Sequence, residues 1–264
     1  GVQENDYAMI LGYPGRTNRW MPANGIEQNV KFAYPAWVEG AKTGMDNMKK
    51  YMTKDATVNL QYASKYASTA NYWKNRQGMI DALTKAKTAQ TKTKEEAKFN
   101  AWANKAENKA KYGDVIATIN NYYAQTNLKA RHDNYLTQLL RTATYGTLPA
   151  SLGNGLIAYA KENEAKRAEM LPRLTSAIDG AYGSLYAPLE KEVLTAQLNL
   201  YAAKAAEYGL APKVAEMKAA NNGDFTNDVH KAVTSSIFTS KDAVLAFLKE
   251  PKVETITNDP LYVI

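Results

Sequence analysis

Cysteine is absent from the 264 residues, and histidine occurs only at His132 and His230. The first absence excludes disulfide cross-links, thiolate zinc sites and a cysteine nucleophile. It leaves the compartment open, because a domain with an adequate core needs no disulfide even outside the cytoplasm. Neither histidine stands in a metal-binding spacing. Asp133 follows His132 directly, but adjacent helical residues point about 100° apart and are not expected to orient each other. Both histidines therefore read as surface or satisfied structural residues. No Gly-x-Ser-x-Gly elbow and no phosphate-cradling Gly-x-x-x-x-Gly-Lys loop occurs. No apolar run approaches the roughly 20 residues that cross a bilayer, so neither a membrane span nor a membrane partner is expected. Gly1-Val2-Gln3 shows no initiator methionine and no secretion-signal pattern, as expected for a segment of a longer polypeptide. Nothing in the residues calls for a metal or cofactor, and none is expected.

What is present is ordinary for a folded domain: 45% hydrophobic and 22% charged residues. Lysine and arginine (33) exceed aspartate and glutamate (26), a net charge of +7. Much of that surplus lies between Lys85 and Arg131, where a basic balance could attract nucleic acid. The lysines there are interleaved with Glu95, Glu96, Glu107 and Asp114. That pattern favours a solvated helix surface, and no nucleic-acid partner is expected.

The middle of the chain reads as helix throughout. Expected helices run from Asn24 or Glu27 to Thr53 with a bend at Pro35, from Asp55 to Ala89, and from a Thr91 or Thr93 cap to Gly113. A long one follows from Asp114 to Tyr145, stopped by Gly146 and Pro149. Further helices fit Asn154–Gly180, Pro188–Tyr208, Lys213–Ala220, Asn227–Phe238 and Lys241–Lys249, the last capped by Ser240. The two ends differ. Tyr7-Ala8-Met9-Ile10-Leu11, closed by a Gly12-Tyr13-Pro14-Gly15 turn, reads as a strand, as do Val253–Ile256 and Leu261–Ile264 around Asp259-Pro260. Lone strands cannot satisfy their backbones. The expected fold class is thus mainly α: an elongated multi-helix bundle inserted into a β-domain largely absent from the chain. Residues 1–19 and 253–264 would be strand remnants, and 20–252 the helical domain.

One stretch carries more information than the rest. From Tyr62 to Ala82, the residues Tyr62, Tyr66, Trp73 and Ile80 recur at helical spacing and read as a core-facing stripe. On another face Ser64, Ala67, Ser68, Asn71, Asn75, Gly78 and Ala82 form a continuous row of small and amide side chains. Such a row fits either a tight helix crossing or a surface that meets an extended peptide. An Asn carbonyl oxygen is suited to accept from an α-ammonium.

Asn5-Asp6-Tyr7-Ala8-Met9-Ile10-Leu11-Gly12-Tyr13-Pro14-Gly15-Arg16-Thr17-Asn18-Arg19-Trp20 closely resembles a segment of the bacterial type-7 and type-11 dipeptidyl peptidases. Ser68-Thr69-Ala70-Asn71-Tyr72-Trp73-Lys74-Asn75 with Gly78-Met79, and Asn258-Asp259-Pro260-Leu261, are similar to the same family. These are chymotrypsin-like serine exopeptidases with a helical insertion that caps the cleft. The resemblance implies that this chain is the helical lid, with the Ser-His-Asp triad elsewhere in the polypeptide and no nucleophile at Ser235 or Ser236. It implies peptide substrates with a free N-terminus, the parent's β-barrel as a partner, a homodimeric parent, and a periplasmic, cell-surface or secreted location. It places the binding of the substrate's terminal ammonium on Asn75, or on Asn71. The alternatives are a stand-alone helical module binding proteins or peptides and, more remotely, a helical nucleic-acid-binding domain.

Overall fold

The computed structural model of the chain describes residues 2–9, 11–12, 18 and 20–264. Helix α1 (Ala23–Gln28) passes through a π-helical turn, Asn29–Ala33, into α2 (Tyr34–Met52). The widened turn lies just before Pro35, which has no N–H and whose ring would crowd the carbonyl one turn back. The expected bend at this proline is therefore a π-turn. Asp55 then caps α3 (Ala56–Lys85), accepting from Thr57 N at 2.7 Å and Val58 N at 3.2 Å. Lys87, at φ 51°, turns the chain into α4 (Thr88–Ala103), earlier than the expected threonine caps, and α5 (Ala106–Tyr112) follows. Glu96 on α4 serves a different helix: its Oε1 accepts from Ala23 N at 2.6 Å and caps α1.

The long helix expected from Asp114 breaks sooner than its glycine and proline suggest. Helix α6 (Val115–Thr142) ends at Ala143, and α7 (Thr144–Lys161) begins at once, carrying Gly146 and Pro149 inside it. The break is set by a tertiary contact. Glu190 accepts from Thr144 N at 2.6 Å and from Thr144 Oγ1, supplying from another helix the cap that α7 lacks locally. The expected Asn154–Gly180 helix is likewise split, because Asn163 caps α8 (Glu164–Ala181). Then come α9 (Ala187–Lys204), α10 (Pro212–Asn221), α11 (Thr226–Ser235), a 3-10 turn at Ile237–Thr239, and α12 (Lys241–Phe247) capped by Ser240.

Among the described residues, neither end of the chain forms the expected strands. Residues 253–264 fold as α13 (Val253–Thr257) and α14 (Pro260–Val263). Pro260 starts a helix here instead of breaking a strand, since the missing N–H costs nothing at a first helical position. Asp259 caps it, accepting from Leu261 N at 2.9 Å, and also binds Ser236 Oγ and Ile237 N, each at 2.8 Å. Ile256 and Leu261 are buried, so the tail is part of the helical core. Tyr7, Met9 and Leu11 are exposed and belong to no regular element; Ile10 and the Tyr13-Pro14-Gly15 part of the expected turn lie outside the described residues. Among the described residues the chain has no strand, and no helix is long and apolar enough to cross a membrane.

Burial divides the body unevenly. The core runs through α7, α9, α11 and the C-terminal end of α6, with Leu148, Leu156, Leu194, Leu198, Phe225 and Phe238 fully enclosed. The 30-residue α3 is about 45 Å long at 1.5 Å per residue, yet buries only Val58 and Tyr62. Helix α4 buries only Ala103, α5 nothing, and α6 nothing before Tyr135. The far portions of α3 and α6, with α4 and α5, therefore form a thin arm. Helix α1 packs into it, Gly25 lying where a Cβ would come 2.8 Å from the Tyr123 ring.

Candidate functional site

Helix α3 is anchored at its first turns and open along most of its length. Tyr62 is buried, and its hydroxyl donates to Glu190 at 2.8 Å while accepting from Tyr186 N at 2.9 Å. Burial first, then the Glu190 charge, push its phenol well above the ordinary tyrosine range, so it stays a neutral donor. One turn on, Lys65 donates to Thr144 Oγ1 at 2.7 Å and to Glu190 at 3.2 Å. Tyr66 packs against the core, whereas Trp73 and Ile80 are half-buried farther along α3 and outside it, so the expected core-facing stripe reaches the core only at Tyr62 and Tyr66.

The opposite row is bare. Ser64, Ala67, Ser68, Asn71, Asn75, Gly78 and Ala82 are all exposed. A Cβ built on Gly78 meets nothing within 4 Å, which rules out a tight helix crossing there. The close crossing lies instead on α2, where Gly40 and Gly44 receive Gln138 and Thr142 of α6. The Gly-x-x-x-G spacing at 40 and 44 was the signal for it. Asn71 and Asn75, one turn apart, offer their amides to solvent with no side-chain partner among the described residues.

Beside this row Tyr72 faces Trp37 of α2, ring centroids 6.3 Å apart, and Arg141 of α6 lies over both rings. Arg76 lies over Trp37 as well, 5.6 Å from its centroid. None of Trp37, Arg76 or Arg141 stood out in the sequence, since they come from three helices.

The histidines are structural or superficial. Contrary to expectation, His132 and Asp133 do meet, Nδ1 lying 3.0 Å from Oδ1. The other nitrogen fixes the ring: Ala211 N donates to the Tyr201 hydroxyl at 2.9 Å, leaving that hydroxyl to donate to His132 Nε2 at 2.8 Å. Tyr201 is buried and no nucleophile adjoins, so this chain of bonds ties α6 to α9 and to the loop before α10. His230 is exposed. Ser235 donates to Lys231 O, and buried Ser236 to Asp259, which leaves neither poised for attack.

A family model described as Peptidase S46 matches residues 1–264. The chain belongs to the Peptidase S46 family. Among the S46 relatives, Dipeptidyl-peptidase 7 of Capnocytophaga gingivalis is 44% identical over 99% of this chain and 36% of its own length. Asp/Glu-specific dipeptidyl-peptidase of Flavobacterium psychrophilum is 33% identical over 53% of this chain and 20% of its own length. A crystal structure of Porphyromonas endodontalis DPP11 in complex with the dipeptide Arg-Glu superposes with a TM-score of 0.77 at 22% identity. It covers 96% of this chain and 36% of that one, and shares the helical fold. The chain thus spans about a third of the length of the S46 relatives it matches along its whole extent.

Proposed function

We propose that this chain is the helical lid of a dipeptidyl peptidase, which releases dipeptides from the free N-terminus of peptides with a Ser-His-Asp triad carried by a β-barrel elsewhere in the polypeptide. The names of the S46 relatives support the activity. The observation that carries the lid reading is the open amide row on α3. It is exposed, has room for a backbone at Gly78, and presents Asn71 and Asn75 unpartnered among the described residues. A barrel cleft alone admits a long chain; a wall across it that accepts from the terminal ammonium limits entry to two residues. An enclosed ammonium needs acceptors, because burying it unpaired costs several kcal/mol. Asn75, or Asn71, supplies one. Residues 253–264 belong to the lid body, and a periplasmic, cell-surface or secreted location accompanies the reading.

The test is steady-state kinetics of the whole enzyme with Asn75→Ala and Asn71→Ala. One of the two variants is expected to lose about 1–3 kcal/mol of transition-state stabilisation, roughly a ten- to hundred-fold fall in kcat/KM. Unchanged kcat/KM in both variants removes the assignment.

A further inference from the structure

We propose that the cleft between α2, α3 and α6 binds a carboxylate. The cavity holds about 110 Å³, and its wall includes Trp37, Lys65, Ser68, Tyr72, Gln138 and Arg141. Every charged group on that wall is a cation. The Arg141 guanidinium carbon lies 5.4 Å from the Trp37 ring centre and 5.1 Å from that of Tyr72. Arg76 approaches from the next turn of α3, 4.7 Å from Tyr34 and 5.6 Å from Trp37. Two cations therefore flank one indole, and among the described residues neither has an ion pair. Stacking holds a guanidinium in place while leaving its N–H fork free for an oxyanion.

Two further groups lack partners. The Trp37 Nε1–H is enclosed with no acceptor. Gln138 lies on the cavity wall, where its amide makes no hydrogen bond among the described residues and is not sealed off as the indole N–H is. A buried donor such as the Trp37 Nε1–H is rarely left unmade, because the desolvation cost then stands uncompensated. Lys65 spends two of its three protons on Thr144 and Glu190, which leaves one. The ligand that answers these groups is small, planar and singly charged. Two oxygens match the Arg141 fork, and the buried Glu190 charge behind Lys65 disfavours a dianion.

The carboxylate can be a free small acid or an acidic side chain of a peptide. Ser68 belongs both to this cavity and to the open row of α3, so a peptide on the row reaches the cavity along one helix. The inference stands on the α2–α3–α6 geometry and does not rest on the ammonium assignment.

The whole polypeptide carrying residues 1–264 would be labelled with 5-fluorotryptophan and its Trp37 resonance assigned from Trp37→Phe. Acetate is titrated against chloride at matched ionic strength, followed by phosphate and by a peptide pair differing only in Glu against Gln. The Trp37 resonance is expected to move saturably with acetate and not with chloride. Arg141→Gln, on the surface and thus folding-neutral by circular dichroism, is expected to weaken acetate at least ten-fold, and Arg76→Gln several-fold. Tighter binding of the Glu peptide than of acetate and of its Gln twin identifies a peptide as the source; equal binding of the twins identifies a free acid. A saturable shift with neither acetate nor the Glu peptide overturns the proposal. So does phosphate binding tighter than acetate, or acetate affinity unchanged in Arg141→Gln.

Discussion

Glycine does opposite things at two places in this chain, and the same substitution separates them. At Gly44 an added Cβ would lie 2.8 Å from Thr142 Cβ and 2.9 Å from its Cγ2. Thr142 cannot turn aside, since it is buried, donates to Gln138 O at 2.7 Å and accepts from Gln197 Nε2 at 2.8 Å. Gly44→Ala should therefore destabilise by about 1–3 kcal/mol, the usual cost of overpacking. At Gly78 the space is open and the residue lies inside a helix, so Gly78→Ala should stabilise by about 0.5–1 kcal/mol. Urea denaturation of both variants checks the pair; equal signs would mean that one of the two helix faces is misplaced. The sequence displayed the small residues of α3 and left both a crossing and an open surface available. Only a packing partner distinguishes them: the α3 row has none at Gly78, while the partner that seats Gly40 and Gly44 of α2 lies about a hundred residues away on α6.

Helix starts with a local cap were legible: Asp55 before α3 and Ser240 before α12 act as the capping rule expects. Boundaries set from a distance were not. The α6–α7 break and the helical fold of residues 253–264 follow from Glu190 and Asp259, carboxylates that reach across the structure to backbone amides. Local β-propensity at Val253 and Ile256 loses to burial of Ile256 in the core. Glu190 is the more consequential of the two. Fully buried, it accepts from Tyr62, Lys65 and both donors of Thr144, and so joins α3, α7 and α9. Glu190→Ala leaves these groups enclosed without an acceptor and should cost about 3–5 kcal/mol. Glu190→Gln, which keeps one acceptor oxygen, should cost less. Hydrogen exchange gives the sharper reading: amides in the first turn of α7 should lose protection in Glu190→Ala before those of α9. Uniform loss along both helices would show that the carboxylate acts through general stability and is not the cap of α7.

At the scale of the whole molecule, composition and core agree on one property. The chain has 18 tyrosines against 5 phenylalanines, and it buries several of them, among them Tyr62, Tyr145 and Tyr201. Burial raises the phenols of Tyr62, Tyr135, Tyr145, Tyr182 and Tyr201, and at Tyr145 burial followed by the Glu190 charge pushes the value up to about 12. A group with a raised folded-state pKa contributes stability that is fully present below its unfolded value, near 10.0 for tyrosine, and is lost as pH rises through the folded value. Stability should therefore decline between about pH 10 and about pH 12, more steeply than one phenol alone would cause. Tyr145→Phe removes one of these titrations and forfeits only a 3.4 Å bond to Thr239 O. The variant should lie near the parent at neutral pH and fall less steeply in alkali. Urea midpoints at intervals from about pH 8 upward, with tyrosinate absorbance recorded alongside, check both slopes. Phenols that ionise before the fold opens, or parallel slopes for the two proteins, would mean that the tyrosines are not held neutral by the packing that the helices provide.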